Sequence, residues 1–500
     1  LDQKRLPKPV KYYRRETEFV GARGWTEEIV GSIVEKLLGI ERVGMNDNFF
    51  DLGGHSLLVT QLVSRVKSGL GVEIGIRDIF ESKNVGDIAK LAKKGKKEEK
   101  EPELKRKKRK KGEKIELSFG QQRLWFLDQM MENKAVYNIT MAVRLEGEMK
   151  EAEMRQAIRW MEERHESLRT RFESELGEAQ QIVEEEAGKV KVEIVEGKET
   201  EEILERERKY EFDLRRGPLW RVVIVREEEK KNVIVVNIHH IISDGWSSGV
   251  FWRELGMMYE AAVDGKKESG MEKMKIQYAD YAAWQREWMK GEVLEKELEY
   301  WKKELTGVPK ELKLPTDRKR PRELSYEGGT CEMEIEVGVV KKLREIARRE
   351  RSTLFMVLLA ALNVLLYRYT GERDVVIGTA SANREREETE GLIGFFVNTL
   401  ALRVGVKDGD KFEDVVRRAR DVTLGSYAHR HVPFEQVIDT LKVERAVNNT
   451  PVFQVFLLVE EEEPKTSFFG LKGMEYMNLD DGSTAKFDMM WSFKVIGEEI

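Results

Sequence analysis

Two short stretches of the 500-residue chain set groups capable of chemistry side by side. The first is Val233-Ile-Val-Val-Asn-Ile-His239-His240-Ile-Ile-Ser-Asp244-Gly245, an apolar run ending in two histidines and a turn. Neutral imidazole is a base near physiological pH. Side chains alternate along a strand, which predicts His240 on the face of Ile234, Val236 and Ile238, and His239 on the face of Val235 and Asn237. Only one histidine can then serve a given cleft. Ser243-Asp244-Gly245 stop the strand, because such residues bond their own backbone or accept positive φ. Taken alone, a His-His pair here is more often packing than a site. No metal site is expected: adjacent strand residues diverge, and His55, His165, His429 and His431 offer no i, i+4 ligand pair. The second stretch is Asp47-Asn-Phe-Phe-Asp-Leu-Gly53-Gly54-His55-Ser56, where Ser56 stands at a helix start, a position that favours serine as an N-cap.

The elements that must position these groups follow from periodicity. Thr26 to Leu38 reads as an amphipathic helix, a second helix follows Ser56 with Leu58, Leu62 and Val66 in step, and shorter helices over Ile76 to Phe80 and Val85 to Ala92 complete an all-α four-helix bundle. From Ile115 onward helix and strand patterns alternate. Strands are expected over Asn138 to Leu145, Val190 to Val195, Leu219 to Val225, Val233 to Ile238, Thr330 to Val337 and Asp374 to Thr379. Together they predict an α/β region of two lobes with mixed sheets and a cleft between. His165 falls on an apolar helix stripe and reads as a core histidine.

Five hundred residues imply two to four folding units. Lys plus Arg (87) and Asp plus Glu (92) nearly cancel, which argues against nucleic acid as a partner. The single cysteine, Cys331, excludes an internal disulfide and fits a reducing, cytoplasmic setting. The apolar run Leu354 to Tyr367 contains Asn363 and is too short to span a bilayer, so it reads as a buried helix and no membrane partner is expected. Lys93 to Lys114 holds 13 Lys or Arg against 5 Glu and almost nothing apolar, and is expected to be a solvated tether.

The run around Ser56 resembles, without a gap, the phosphopantetheine attachment site of peptidyl carrier proteins. The resemblance extends from about Thr26 to Ala92 and implies that 4'-phosphopantetheine is carried covalently on Ser56. A helix N-terminus suits the phosphodiester, and the two glycines let a phosphopantetheinyl transferase approach the backbone. Leu1 to Pro9 resembles the segment that trails an adenylation domain. From Ile115 on, seven segments occur in the order found in condensation domains of nonribosomal peptide synthetases, in the chloramphenicol acetyltransferase superfamily. They are Leu117 to Leu127, Arg164 to Phe172, His239 to Ser247, Tyr278 to Trp284, Ile393 to Leu400, Pro433 to Glu435 and Thr450 to Gln454.

The resemblance implies a division into a linker over 1–24, a peptidyl carrier domain over 25–93, a basic flexible linker over 94–114, and condensation lobes over 115–290 and 291–500. It makes His240 the catalytic residue of amide formation, with His239 structural and Asp244 a scaffold paired to an arginine. Arg169 is the expected partner and Arg164 the other candidate. The backbone N–H of Gly245 is a candidate oxyanion donor. An aminoacyl or peptidyl thioester on Ser56 would be the L-configured donor. Adenylation and peptidyl carrier domains downstream would supply the acceptor amine. The chain stops where relatives continue, so a shortened second lobe is expected, and Gly120 replaces a frequent alanine. Two other readings are carried: a coenzyme A-dependent acyltransferase on a small soluble acceptor, and a non-catalytic condensation-like docking platform.

Overall fold

The computed structural model describes residues 19–97, 102–110, 112–175, 177–197, 200–322, 324–442, 449–461, 468, 471–477 and 484–495. The linker expected over 1–24 therefore lies outside the described residues as far as position 18. Four helices, Trp25–Leu38, Ser56–Leu70, Ile76–Glu81 and Val85–Lys94, form the first unit. Gly39 and Gly71 end the first two in the left-handed conformation, which costs glycine nothing. Val30, Val34, Val59, Leu62, Val66, Ile79 and Ile88 close the core between them.

The next unit is built on a five-stranded sheet. Its middle strand is Lys231–His239, antiparallel to Asn138–Glu146 on one side and to Trp220–Glu228 on the other; Val192–Glu196 runs parallel beyond the latter. The run Val233 to Ile238 is apolar apart from Asn237 because both faces are covered. Ile234, Val236 and Ile238 pack with residues of the helices Glu151–Arg164 and Gly245–Val263, while Val233 and Val235 pack with Ile203 and Leu204. The fifth strand, Lys472–Tyr476, comes from late in the chain and pairs with Asn138–Glu146. A simple cut at position 290 between lobes is thus corrected: the second half returns a strand to the first.

The second lobe holds a four-stranded mixed sheet in the order Asn398–Gly405, Asp374–Ser381, Val455–Glu461 and Met489–Val495. The helices Leu354–Thr370 and Phe412–Ala428 contribute Val357, Leu359, Val415, Val416 and Ala419 to its core. Two expectations fail here. No strand forms over 330–336, where Met333 is 78% exposed: the alternation is present, but a strand needs a neighbour to pair with. The tether expected over 94–114 is fastened over 102–110. Leu104 is buried, Trp284 donates to the Pro102 carbonyl at 2.8 Å, and Arg109 pairs with Glu166 at 2.8 Å and with the buried carboxylate of Asp280. Arg106 joins the same two carboxylates. The basic residues are spent on neutralising acids from distant segments, a role their own neighbours in sequence do not display.

Candidate functional site

The strand ends at His239, one residue before the alternation would reach His240. His240 opens a 3-10 turn, His240–Ile242, so the turn rather than the pleat sets its direction. His239 is buried, and its Nδ1 accepts the Ile241 N–H at 3.1 Å. Burial, with the positive charges of His240, Lys486 and Lys134, pushes its pKa down to about 3. At neutral pH it is an uncharged cap for the turn.

His240 sits on the wall of the large cavity, its ring edge-on to Phe395 at 5.1 Å. Its Nδ1 lies 2.8 Å from the Ser243 carbonyl oxygen. A carbonyl only accepts, so Nδ1 carries the hydrogen and the neutral ring keeps its lone pair on Nε2. Burial and the Lys486 ammonium push the pKa down to about 4, opposed by Ser243 and Asp244. At neutral pH the residue is an unprotonated base with a fixed tautomer.

Asp244 caps the helix Gly245–Val263. Its Oδ1 accepts from the Ser247 N–H at 2.9 Å, the Ser247 hydroxyl at 2.7 Å and Arg384 Nη2 at 3.0 Å; its Oδ2 accepts the Phe396 N–H at 2.9 Å. Both oxygens of the carboxylate are thus taken up by donors of the protein itself. The residue pins the histidine turn to the 394–396 segment of the other lobe. The expected partner is corrected: Arg169 donates instead to the carbonyls of Glu162 and Glu184, and Arg164 pairs with Glu254 at 2.8 Å. The Arg169 guanidinium is committed to these carbonyls and to the Glu166 carboxylate. His165 joins Glu254 at 2.7 Å in the core, as its stripe position suggested.

Arg384, which sequence reasoning missed, is fully buried. Besides Asp244 it donates to the carbonyls of Thr389 at 2.8 Å and Leu392 at 2.6 Å, and its guanidinium lies 4.0 Å over the Phe396 ring. Its one sequence signal is position: a buried aspartate needs a cation, and Arg384 follows closely after the buried strand Asp374–Ser381.

Gly245 begins its helix and faces the cavity, with open space where a side chain would be. Asn398 is committed to structure, its amide donating to the carbonyls of Arg430 at 2.8 Å and Val432 at 2.6 Å. The departure at Gly120 has a steric cause, since an added Cβ would stand 2.8 Å from the Phe395 ring.

Ser56 opens its helix behind His55, and Gly54 is required by packing: a Cβ there would meet the Phe49 ring at 2.3 Å and the Phe49 carbonyl at 2.6 Å. The glycine thus serves the fold of the loop itself. Ser56 Oγ donates to Thr353 Oγ1 at 3.2 Å. Around it the small helical unit is held against the second lobe. Arg65 pairs with Glu390 at 2.9 Å, Arg77 with Asp421 at 2.9 Å and Arg348 with Asp51 at 3.1 Å, while Met356 and Leu424 join the small unit's core. The Glu390 carbonyl also accepts from Trp246 Nε1 at 2.9 Å, so the docking contact adjoins the histidine turn. Ser56 and His240 line one cavity of about 3030 Å³. That volume and the serine's place on its wall fit a long, flexible phosphopantetheine arm.

Residues 28–92 match the phosphopantetheine attachment site family and residues 111–499 the Condensation domain family. A linear gramicidin synthase from Brevibacillus parabrevis is 40% identical over 98% of this chain, which covers 10% of that protein. A dimodular nonribosomal peptide synthase of Bacillus subtilis (strain 168) is 35% identical over 98% of this chain and 21% of its own length. The chain thus spans about a tenth of the gramicidin synthase polypeptide it matches. Among solved structures, the X-domain in complex with OxyB from teicoplanin biosynthesis superposes with a TM-score of 0.73 at 28% identity, over 79% of this chain and 87% of that one. The condensation domain of the monacolin K polyketide synthase MokA shares the fold, with a TM-score of 0.67 at 23% identity over 76% and 89% of the two chains. The chain belongs to the condensation-domain family of nonribosomal peptide synthetases, joined behind a phosphopantetheine-attachment domain.

Proposed function

We propose that this chain forms amide bonds between carrier-bound amino acids, with Ser56 on the donor side. The observation that carries the reading is the single cavity lined by both Ser56 and His240. When bound at Ser56, 4'-phosphopantetheine supplies the thiol on which an aminoacyl or peptidyl donor is held. His240 Nε2 accepts the proton of the attacking α-amine as the C–N bond forms and returns it to the donor sulfur, which leaves as a thiol when the thioester C–S bond breaks. The first N–H groups of a helix lack intrahelical partners, and we assign that of Gly245, on the cavity wall, as the donor to the oxygen of the attacked carbonyl. Asp244 and Arg384 hold the turn.

The four helices of the first unit serve as the carrier bundle over 25–93. An adenylation domain and a phosphopantetheinyl transferase load it, a downstream adenylation and carrier pair supplies the amine, and the setting is cytoplasmic. Among the described residues no single helix is long and apolar enough to cross a membrane. The docking-platform reading draws on the likeness to the X-domain solved with OxyB. An accepting Nε2 on His240 favours catalysis over that reading.

The test is to load Ser56 with an aminoacyl group, supply a soluble aminoacyl thioester as acceptor, and seek dipeptide by mass spectrometry. Ser56→Ala is expected to abolish loading, seen as loss of the phosphopantetheine mass, and with it all product. A loadable wild-type protein that yields no dipeptide speaks for the platform. Docking is checked separately. Glu390→Arg is expected to slow dipeptide formation severalfold at low salt, and Arg65→Glu in the same chain to restore it. The pair is partly exposed, with side chains 20% and 22% accessible, so the effect is of the order of 1 kcal/mol and shrinks as salt rises.

A further inference from the structure

The hydroxyl of Ser56 meets a hydroxyl of the second lobe directly. Ser56 Oγ donates to Thr353 Oγ1 at 3.2 Å. Thr353 caps the helix Leu354–Thr370, and the same Oγ1 also accepts the Met356 N–H at 3.4 Å. Among the described residues the Thr353 hydroxyl thus accepts twice and donates to no group, although the residue is only 8% exposed. Leaving a buried donor without an acceptor is costly, so a hydroxyl that keeps its hydrogen unspent is set for a ligand. Thr353 lines the cavity that has Ser56 on its wall, and so do Leu354 and Phe355. The backbone N–H groups of those two residues open the helix and lack intrahelical partners. Contacts on either side hold the two hydroxyls in place: Phe355 and Met356 pack with the core of the first unit, and Arg348 pairs with Asp51 at 3.1 Å.

Attachment of the arm reverses what this contact requires. An Oγ–P bond replaces the Oγ–H bond of Ser56, so the serine loses the hydrogen it gives to Thr353 and gains a negatively charged phosphodiester. Phosphate oxygens only accept, and Thr353 has a hydrogen to give. We propose that the Thr353 hydroxyl is a binding group for the phosphodiester of the arm: it accepts from Ser56 before attachment, donates to the phosphodiester after it, and so fixes where the arm enters the cavity. The inference rests on Ser56 as the attachment residue, and no part of it requires amide formation.

The experiment reads the phosphodiester itself, by phosphorus NMR of the whole chain after loading from coenzyme A, with mass spectrometry confirming that the arm is attached. In wild type the resonance is expected away from that of free phosphopantetheine. Thr353→Val and Thr353→Ala should move it toward the free position, and Thr353→Ser should hold it. Thr353→Asp keeps the cap, since aspartate accepts the Met356 N–H, but it sets a negative charge and no donor against the phosphodiester and should move the resonance as well. In the dipeptide assay the three variants without a donor are expected to be roughly tenfold slower, the usual loss of a hydrogen bond to a charged group, and Thr353→Ser to keep most of the rate. Melting curves show which neutral variant is folded; if neither is, Thr353→Asp decides. A resonance that stays at its wild-type position in the deciding variant overturns the proposal. Gain of the arm's mass by Ser56→Ala protein overturns the attachment reading instead, and this inference with it.

Discussion

Replacing His240 with alanine is expected to lower the rate of dipeptide formation by about 10² to 10⁴-fold, the usual range for a positioned general base. The geometry sets the sign. With Nδ1–H committed to the Ser243 carbonyl, Nε2 can only accept, and the pKa held at about 4 keeps it free of a proton through neutral pH. Protonation, and with it loss of function, comes only as pH falls through about 4. The acceptor α-amine is half-neutral at about pH 7.7 to 8.0 and sets the visible limb of the profile. Wild type should therefore gain rate toward pH 8, with no second limb between pH 5 and 7. His240→Ala should lower the plateau and leave the limb near pH 8 where it is. The check is a single-turnover assay of Ser56-loaded protein across pH 5 to 9. A loss smaller than about tenfold would reduce His240 to a group that orients the amine, since holding two reactants together is itself a large source of rate.

What could be read in advance divides by sequence distance. Ser56 and the His240 turn are each written in one contiguous stretch, so helix start, strand end and turn were all legible. The partner of Asp244 was not. Arg384 lies 140 residues away and is an ordinary arginine by its neighbours, so nothing local sets it above Arg169, which is nearer in sequence and lies in a recognisable segment. The basic stretch before Ile115 shows the same limit. Its composition describes a free tether, but Arg109 finds Asp280 across 171 residues, and the fold converts charges that look solvated into a strap. The strand expected over 330–337 erred the other way: period-two alternation is a local property, whereas pairing depends on what lies alongside. The return of Lys472–Tyr476 to the first sheet likewise follows from topology that no local pattern carries.

Arg384→Ala is expected to destabilise the protein by about 3 to 5 kcal/mol, because it removes one partner of a fully buried ion pair and leaves the other uncompensated. Arg384 and Asp244 have side chains 0% and 2% accessible, so water cannot take the place of the lost guanidinium. The loss reaches beyond the pair. One end of the guanidinium holds the carbonyls of Thr389 and Leu392 while the other holds Asp244 and Ser247, so the same side chain ties the 389–394 segment to the histidine turn. Arg384→Lys should recover little, since a single ammonium cannot span both sets of acceptors. Thermal melting reports the stability, and the dipeptide assay should show kcat falling while Ser56 loading is unaffected. The decisive comparison is a double substitution with Asp244→Asn. Neutralising the orphaned carboxylate should make the pair of changes less damaging than the sum of the two singles, a coupling expected only where the groups share one buried network. Additive losses would show that Arg384 acts through packing on Phe396 rather than as the counter-ion of Asp244.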